Sequence, residues 1–412
     1  MSTTARQSVN KTVLICGASV AGPALAYWLH RYGFTVTVVE QSPHLREGGY
    51  KVDIRGVAMA VIDRMGLRDR ISRASTAMRG GDWVDRTGKR LATLGPDLIG
   101  LRTAADDEVL RGDLARILFD ATAADVEYVF GDSITGLDQH TDRVTVTFQN
   151  SAPRDFDLVI GADGMHSATR RTVFGPEDQF SRSTGLAVCV FSVPNELGLD
   201  HWELVHPTPG HIVQLYSTRG AAAKAQFIFP APDHLPDRHD LASQRCAVAE
   251  AFADAGWEVP RLLDAMPESP DFFFDVASQI RLDQWSRDRV ALVGDAAWCP
   301  SPISGQGTSM ALVGAYVLAG ELSAAAGDHA LAFARYESKL RDYIAENLDL
   351  GWKNANDMVA ATPGALRVHI TAIRVMRYLP WKGMALRSIM KPLVHAANAI
   401  ELDDYRAVTT PA

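Results

Sequence analysis

An apolar run, Thr12 to Cys16, passes through Gly17-Ala18-Ser19-Val20-Ala21-Gly22 into a helical pattern from about Pro23 to Tyr32. A second run rich in valine and threonine follows, Thr35 to Glu40. Gly33, just past the helical pattern, is placed as a helix-terminating glycine. Strand, helix and strand in about thirty residues form a βαβ unit, whose crossover makes the two strands parallel. That commits this part of the chain to a parallel sheet flanked by helices. The turn is the dinucleotide fingerprint with Ser19 in place of the second glycine. Gly17 permits the tight turn, and Gly22 lets the helix approach the strand. The small side chains of Ser19 and Ala21 leave the helix amides accessible to a pyrophosphate. Glu40 stands 23 positions after Gly17, where an acid would accept hydrogen bonds from an adenosine ribose. Alone, the same turn also suits a βα corner with no ligand.

Further along, Arg111 to Ala121 reads as a helix, Arg143 to Gln149 as a half-buried strand and Leu158 to Ile160 as a buried one. From Leu186 to Pro230 the texture changes. Strand-like runs (Ala187 to Phe191, Ile212 to Ser217, Gln226 to Phe229) alternate with proline and glycine turns, as in an antiparallel sheet. Buried-strand patterning returns at Arg289 to Val293, before a long helix of small residues from about Thr308 to Ala325. Signals for the parallel sheet therefore lie on both sides of the antiparallel one. The reading is an α/β chain with a discontinuous Rossmann-like domain (11–75, 101–180 and 281–345). An antiparallel substrate domain (76–100 and 181–280) is inserted into it, and C-terminal helices (346–412) follow.

The 412 residues suffice for two or three units at roughly 100–200 residues each. A net charge of -8 argues against a general nucleic-acid binder, which needs a basic face. The four cysteines, Cys16, Cys189, Cys246 and Cys299, show no metal or redox spacing, so no metal is expected and a reducing, cytoplasmic setting fits. Met1 to Asn10 lacks the apolar core of a signal peptide, and no apolar run is long enough to span a bilayer. The basic amphipathic stretch from Leu366 to Ile400 reads as a helix pair packed on the main body, with a membrane-surface position as the alternative.

Two more strand-to-turn motifs stand out. One runs from Asp157 through Asp163-Gly164 to Arg170, and the other from Arg289 through Gly294-Asp295 and Pro302 to Gly305-Gln306-Gly307. A carboxylate at the tip of a parallel strand is well placed for ligand contact. Asp295 is placed to accept from a ribityl hydroxyl. The amides from Gly305 to Gly307 open the long helix and are placed to stabilise negative charge.

With their order and spacing, the three motifs resemble the para-hydroxybenzoate hydroxylase family of FAD-dependent monooxygenases. The resemblance spans about residues 11 to 345. It is close to the branch of the tetracycline-inactivating and antibiotic-tailoring enzymes. It implies FAD, a nicotinamide cofactor (NADH or NADPH) and dioxygen, with one oxygen atom passed through a flavin hydroperoxide to an aromatic or polyketide-like molecule. It further implies that Arg46 meets the nicotinamide cofactor, that Asp53 and Arg111 lie near the flavin, and that Pro302 sits beside its ring. Asp163 joins the cofactor-binding set. The chain departs from the family at Gln41, Trp298 and Ser309, where arginine, histidine and asparagine are common. The expected assembly is a monomer or homodimer. His166, His206 and His211 read as surface or structural. Trp298 reads as space-filling, and Phe191, Trp202, Tyr216 and Phe227 as mostly core with some pocket lining. No nucleophilic triad is needed, because the cofactor carries the chemistry. A flavin dehydrogenase or reductase, and a non-catalytic flavoprotein-like binder, remain as alternatives.

Overall fold

A computed structural model describes residues 11–46, 48–96, 98, 100–218, 222–376 and 382–405. Met1 to Asn10 and residues 377–381 of the basic stretch lie outside them. The strands Thr12–Cys16 and Thr35–Glu40 fall where the apolar runs predict them, joined by the helix Ala21–Arg31. Gly33 terminates this helix at φ +86°, and the Phe34 amide reaches back to the Leu29 carbonyl at 3.0 Å.

Six strands form the first sheet, in the order Ser286–Arg287, Val290–Leu292, Leu158–Gly161, Thr12–Cys16, Thr35–Glu40, Glu127–Phe130. All pairings are parallel except that of the edge strand Ser286–Arg287 with Val290–Leu292. Strand tips from the N-terminal, middle and late parts of the chain, Cys16, Gly161 and Leu292, therefore lie side by side. Each is followed by one of the three motifs. The helix Gly307–Ala324 is buried almost all round, as its mostly apolar, small-residue sequence allows, between Ala21–Arg31 and His329–Met358.

The second large sheet has seven strands, in the order Phe273–Ile280, Ser181–Pro194, Ala222–Pro230, His211–Ser217, Trp202–Thr208, Gly80–Val84, Arg90–Leu94. It is antiparallel but for one pair. Gly80–Val84 joins parallel to Trp202–Thr208, because it arrives from far upstream instead of through a hairpin. Gly80 sits at this junction with φ +148°, and a Cβ there would come within 2.6 Å of the Leu94 carbonyl oxygen.

Strand alternation gives this sheet two faces. Phe191, Phe227 and Phe229 point to one side and pack on the helices Leu241–Ala251 and Val259–Ala265 through Phe252 and Leu262. These aromatic residues are core. Val188, Val190, Val205, Ile212 and Ile228 point to the other side, toward Tyr50, Ile303 and Met358. Tyr216 shares this second face by its register with Glu203, and Trp202 packs over Gly80.

At the C-terminal end, the helix His329–Met358 runs straight through residue 345, so the boundary expected there falls inside a continuous helix. Pro363–Met376 lies along the strands Arg90–Leu94 and Trp202–Thr208, and Lys382–Ala397 packs on His329–Met358. Among the described residues no helix is long and apolar enough to cross a membrane.

Candidate active site

The first motif is a tightly wound corner. Gly17 adopts φ +107° and donates its amide to the Val39 carbonyl at 2.7 Å, tying the turn to the neighbouring strand. A Cβ on Gly22 would lie 1.9 Å from the Gly17 carbonyl oxygen, so only glycine allows the helix to start there. Arg111, the first residue of the helix Arg111–Asp120, sends its guanidinium over the corner and donates to Ser19 Oγ at 2.9 Å. Glu40 accepts from the Ala18 and Ser42 amides, each at 2.9 Å. Arg46 Nη2 lies 3.7 Å from Glu40, on a side chain that is 63% exposed. A guanidinium thus stands beside Glu40 although the position after it is Gln41.

The third motif closes on the first. Gly294 has φ +66°, and a Cβ there would be 3.0 Å from that of Ala21. Asp295 opens the short helix Asp295–Trp298 and is half-buried. Burial pushes its carboxyl up, while nearby Arg111 and a hydrogen bond from the Cys299 thiol pull it down. Burial pushes the Cys299 thiol well up too, so it is a neutral donor and no nucleophile. Pro302 starts a single 3-10 turn after Ser301, a non-glycine residue held at φ +82°. Such backbone strain concentrates at functional sites. Gly305 follows at φ +66°, and a Cβ there would meet Asp53 Oδ2 at 3.3 Å. Gln306 precedes the helix Gly307–Ala324, is fully buried, and among the described residues has no hydrogen-bond partner on either Oε1 or Nε2.

Gly17, Ser19, Ala21, Gly22, Glu40, Arg46 and Arg111 are therefore gathered around one corner. Gly294, Asp295, Pro302, Gly305, Gln306, Gly307 and Asp53 form a contiguous wall beside it. Asp163 is different. It accepts from Ser167 Oγ, the Thr169 amide and Thr169 Oγ1, so its hydrogen bonds all go to the start of the helix Ala168–Val173. Trp298 is buried edge-on to Trp285 and lies where a Cβ on Gly314 would be 2.6 Å from its ring. It fills space in the core.

Sequence reasoning missed two buried arginines. Arg55 donates from its amide to Ser309 Oγ at 2.9 Å and from its guanidinium to Asp53, Gly100 O and Leu101 O. Nothing in its sequence surroundings marks it. Arg170 is fully buried and donates to Ala296 O at 3.0 Å, Met165 O at 2.5 Å and Glu177 at 2.9 Å. It fastens the second motif to the third, and its place at the end of the second motif was the available signal.

His166 is a clamp. Its ring nitrogens meet Glu177 at 2.9 Å and Asp275 at 3.1 Å, the latter on the edge strand of the seven-stranded sheet. Asp275 and then Glu177 hold the imidazolium, raising its pKa to about 9 from the usual 6.5. The pair of ion contacts is thus complete below pH 6.5 and is lost as pH rises through about 9. We expect stability to fall across that window in the wild type, and the fall to be smaller in His166→Gln. Thermal melts at pH 7 and pH 10 check this; equal losses in both proteins would show that the clamp contributes nothing.

The FAD binding domain family matches residues 10–356 of the chain. The chain belongs to this family. It is an FAD-dependent monooxygenase. A flavin-dependent monooxygenase from an unknown prokaryotic organism is 42% identical over 96% of this chain and 99% of its own length. An uncharacterised protein of Mycobacterium tuberculosis (strain H37Rv) is 47% identical over 82% of the monooxygenase and 91% of its own length. Among solved structures, the tetracycline destructase Tet(55) superposes with a TM-score of 0.83 at 38% identity, covering 96% of this monooxygenase and 99% of that chain. Among the described residues no group of three or more His, Cys, Asp and Glu side chains could hold a metal ion.

Proposed function

We propose that this monooxygenase takes electrons from NADH or NADPH and inserts one atom of dioxygen into an aromatic or polyketide-like small molecule. The observation that carries the reading is Gln306. A buried amide with no protein partner is costly unless a ligand supplies one, and it lies where a long helix directs its free amides outward. The residues fit FAD. The amides of the Gly17–Gly22 corner and Arg111 would hold the pyrophosphate, Glu40 the adenosine ribose, and Asp295 the ribityl chain. Gly305, Gln306 and Gly307 would line the ring with Pro302, while Asp53 supports Gly305 from behind. Arg46, being exposed, is free to meet the incoming nicotinamide cofactor. FAD, when bound, accepts a hydride and delivers electrons to dioxygen.

The protein's own contribution is positioning and exclusion of water. The amides opening Gly307–Ala324 supply partial positive charge where the reduced ring becomes negative. The valine- and isoleucine-rich face of the seven-stranded sheet closes the opposite side with apolar surface. No protein nucleophile is required. The tetracycline destructases, at 38% and 35% identity over 96% of the chain, support a polycyclic, oxygen-rich substrate.

The test is a turnover experiment under labelled dioxygen. We expect slow nicotinamide oxidation by the protein alone, faster oxidation with a true substrate, and a product one labelled oxygen atom heavier. Efficient turnover without air, or an unlabelled product, would overturn the reading.

A further inference from the structure

The face of the seven-stranded sheet that meets Tyr50 and Ile303 carries two glutamines whose side chains no described residue engages. Gln214 and Gln226 are direct cross-strand partners in the pairing of His211–Ser217 with Ala222–Pro230. Their side chains share the face of Ile212 and Ile228, which are two residues away on the same strands. Val190 lies beside Gln226 and Val205 beside Gln214, so the amides interrupt an otherwise apolar wall. Both are half-buried, and neither has a hydrogen bond to any described residue.

The charged groups on this face are all engaged. Lys51 pairs with Glu203 at 2.5 Å and lies over the Tyr216 ring at 4.4 Å. Lys224 pairs with Asp271, and Asp275 with His166. Formal charge is therefore neutralised within the protein on this wall. What is left to recognise a ligand is neutral: two adjacent amides, each with one acceptor oxygen and two N–H donors.

We infer that Gln214 and Gln226 form a specificity-determining amide pair. It grips the oxygen-bearing edge of a fused-ring system of zero net charge through neighbouring carbonyl and hydroxyl groups. The apolar body of the ligand then lies on Val188, Val190 and Ile228. This rests on the substrate position proposed above and adds the chemistry that selects the substrate. Adjacent carbonyl and hydroxyl oxygens match the pair because each glutamine both donates and accepts. A site built on such groups discriminates against analogues that leave them unpaired.

The probes are tetracycline and 1,8-dihydroxyanthraquinone, titrated into FAD-loaded protein and followed by the oxidised flavin's fluorescence. 1-Methylnaphthalene is the oxygen-free control. Equilibrium binding is read without turnover, so a failure to oxygenate leaves this result standing. In Gln214→Leu and in Gln226→Leu we expect the Kd for at least one oxygen-bearing probe to rise about tenfold, the loss of roughly one hydrogen bond. Binding of 1-methylnaphthalene should be unchanged or tighter. Gln214→Asn and Gln226→Asn keep the amide on a shorter stem and should fall between; they also serve if a leucine variant loses its flavin through misfolding. Unchanged affinity for both oxygen-bearing probes in the glutamine variants overturns the assignment. So does a wild type that binds neither of them, or that binds all three probes equally.

Discussion

Replacing Gly22 with alanine should abolish FAD binding and cost on the order of 3 kcal/mol or more of stability, the range for an overpacked site that cannot relax. A Cβ at this position lies 1.9 Å from the Gly17 carbonyl oxygen and 3.4 Å from Ile15 Cγ2. The first obstacle is backbone, so no rotamer change relieves it. Moving the helix away would pull its amides from the corner that Arg111 and Ser19 define. Gly17 is no freer, since its own Cβ would come within 2.5 Å of the Ala162 carbonyl oxygen at φ +107°. The measurements are flavin content after reconstitution and the thermal midpoint. A Gly22→Ala protein with full flavin and a wild-type midpoint would sink the argument. Gly33→Ala makes the contrast: no atom lies within 4 Å of its added Cβ, so only the cost of φ +86° remains and flavin should be retained.

Asp295→Ala should weaken FAD binding about tenfold to a hundredfold, the loss of a hydrogen bond to a charged or strongly polar acceptor. The ligand-free protein should be no less stable than wild type. Burial raises the Asp295 carboxyl, which means that folding desolvates it at a cost only partly offset by Arg111 and the Cys299 thiol. Removing it relieves that cost in the empty protein and exposes its purpose in the loaded one. Asp295→Asn keeps an acceptor oxygen and should lie between. Isothermal titration of FAD with a parallel thermal melt separates the two effects. Unchanged FAD affinity in a folded Asp295→Ala protein would remove this residue from the site.

Both predictions concern residues visible in the sequence, and the reason is local. A βαβ corner writes itself in a short stretch, because strand period, turn glycine and helix start are all set by near neighbours. Thr12–Cys16, Thr35–Glu40 and the start of Gly307–Ala324 were legible on that basis. So was the grouping of the three strand tips, since parallel pairing with crossovers brings carboxyl ends to one edge.

Other features depended on the whole fold. Asp163 had the same strand-tip signature as Asp295, yet it is taken up by Ser167 and Thr169, whereas Asp295 is half-buried beside Arg111. Which carboxylate a following turn absorbs is decided by the few residues that fold back onto it and by what packs over them. Arg55 gave no sign of burial and Arg170 only its place at the end of the second motif, because a charged side chain is buried only when the fold supplies its acceptors. Those are Gly100 and Leu101 for one, and for the other Ala296 from far along the chain together with nearby Glu177. The parallel insertion of Gly80–Val84 beside Trp202–Thr208 was equally hidden, since pairing over such a separation has no local code.

The sequence by itself determined the nucleotide corner and the parallel sheet around it, because each rests on backbone geometry that short motifs impose; the chemistry class entered only as what the family resemblance of those motifs implies. Only the tertiary structure decided which face of the second sheet looks at the site. Strand alternation assigns residues to two faces but does not say which face meets the helices. The packing of Phe252 and Leu262 against one side settled that, and left Gln214 and Gln226 on the other.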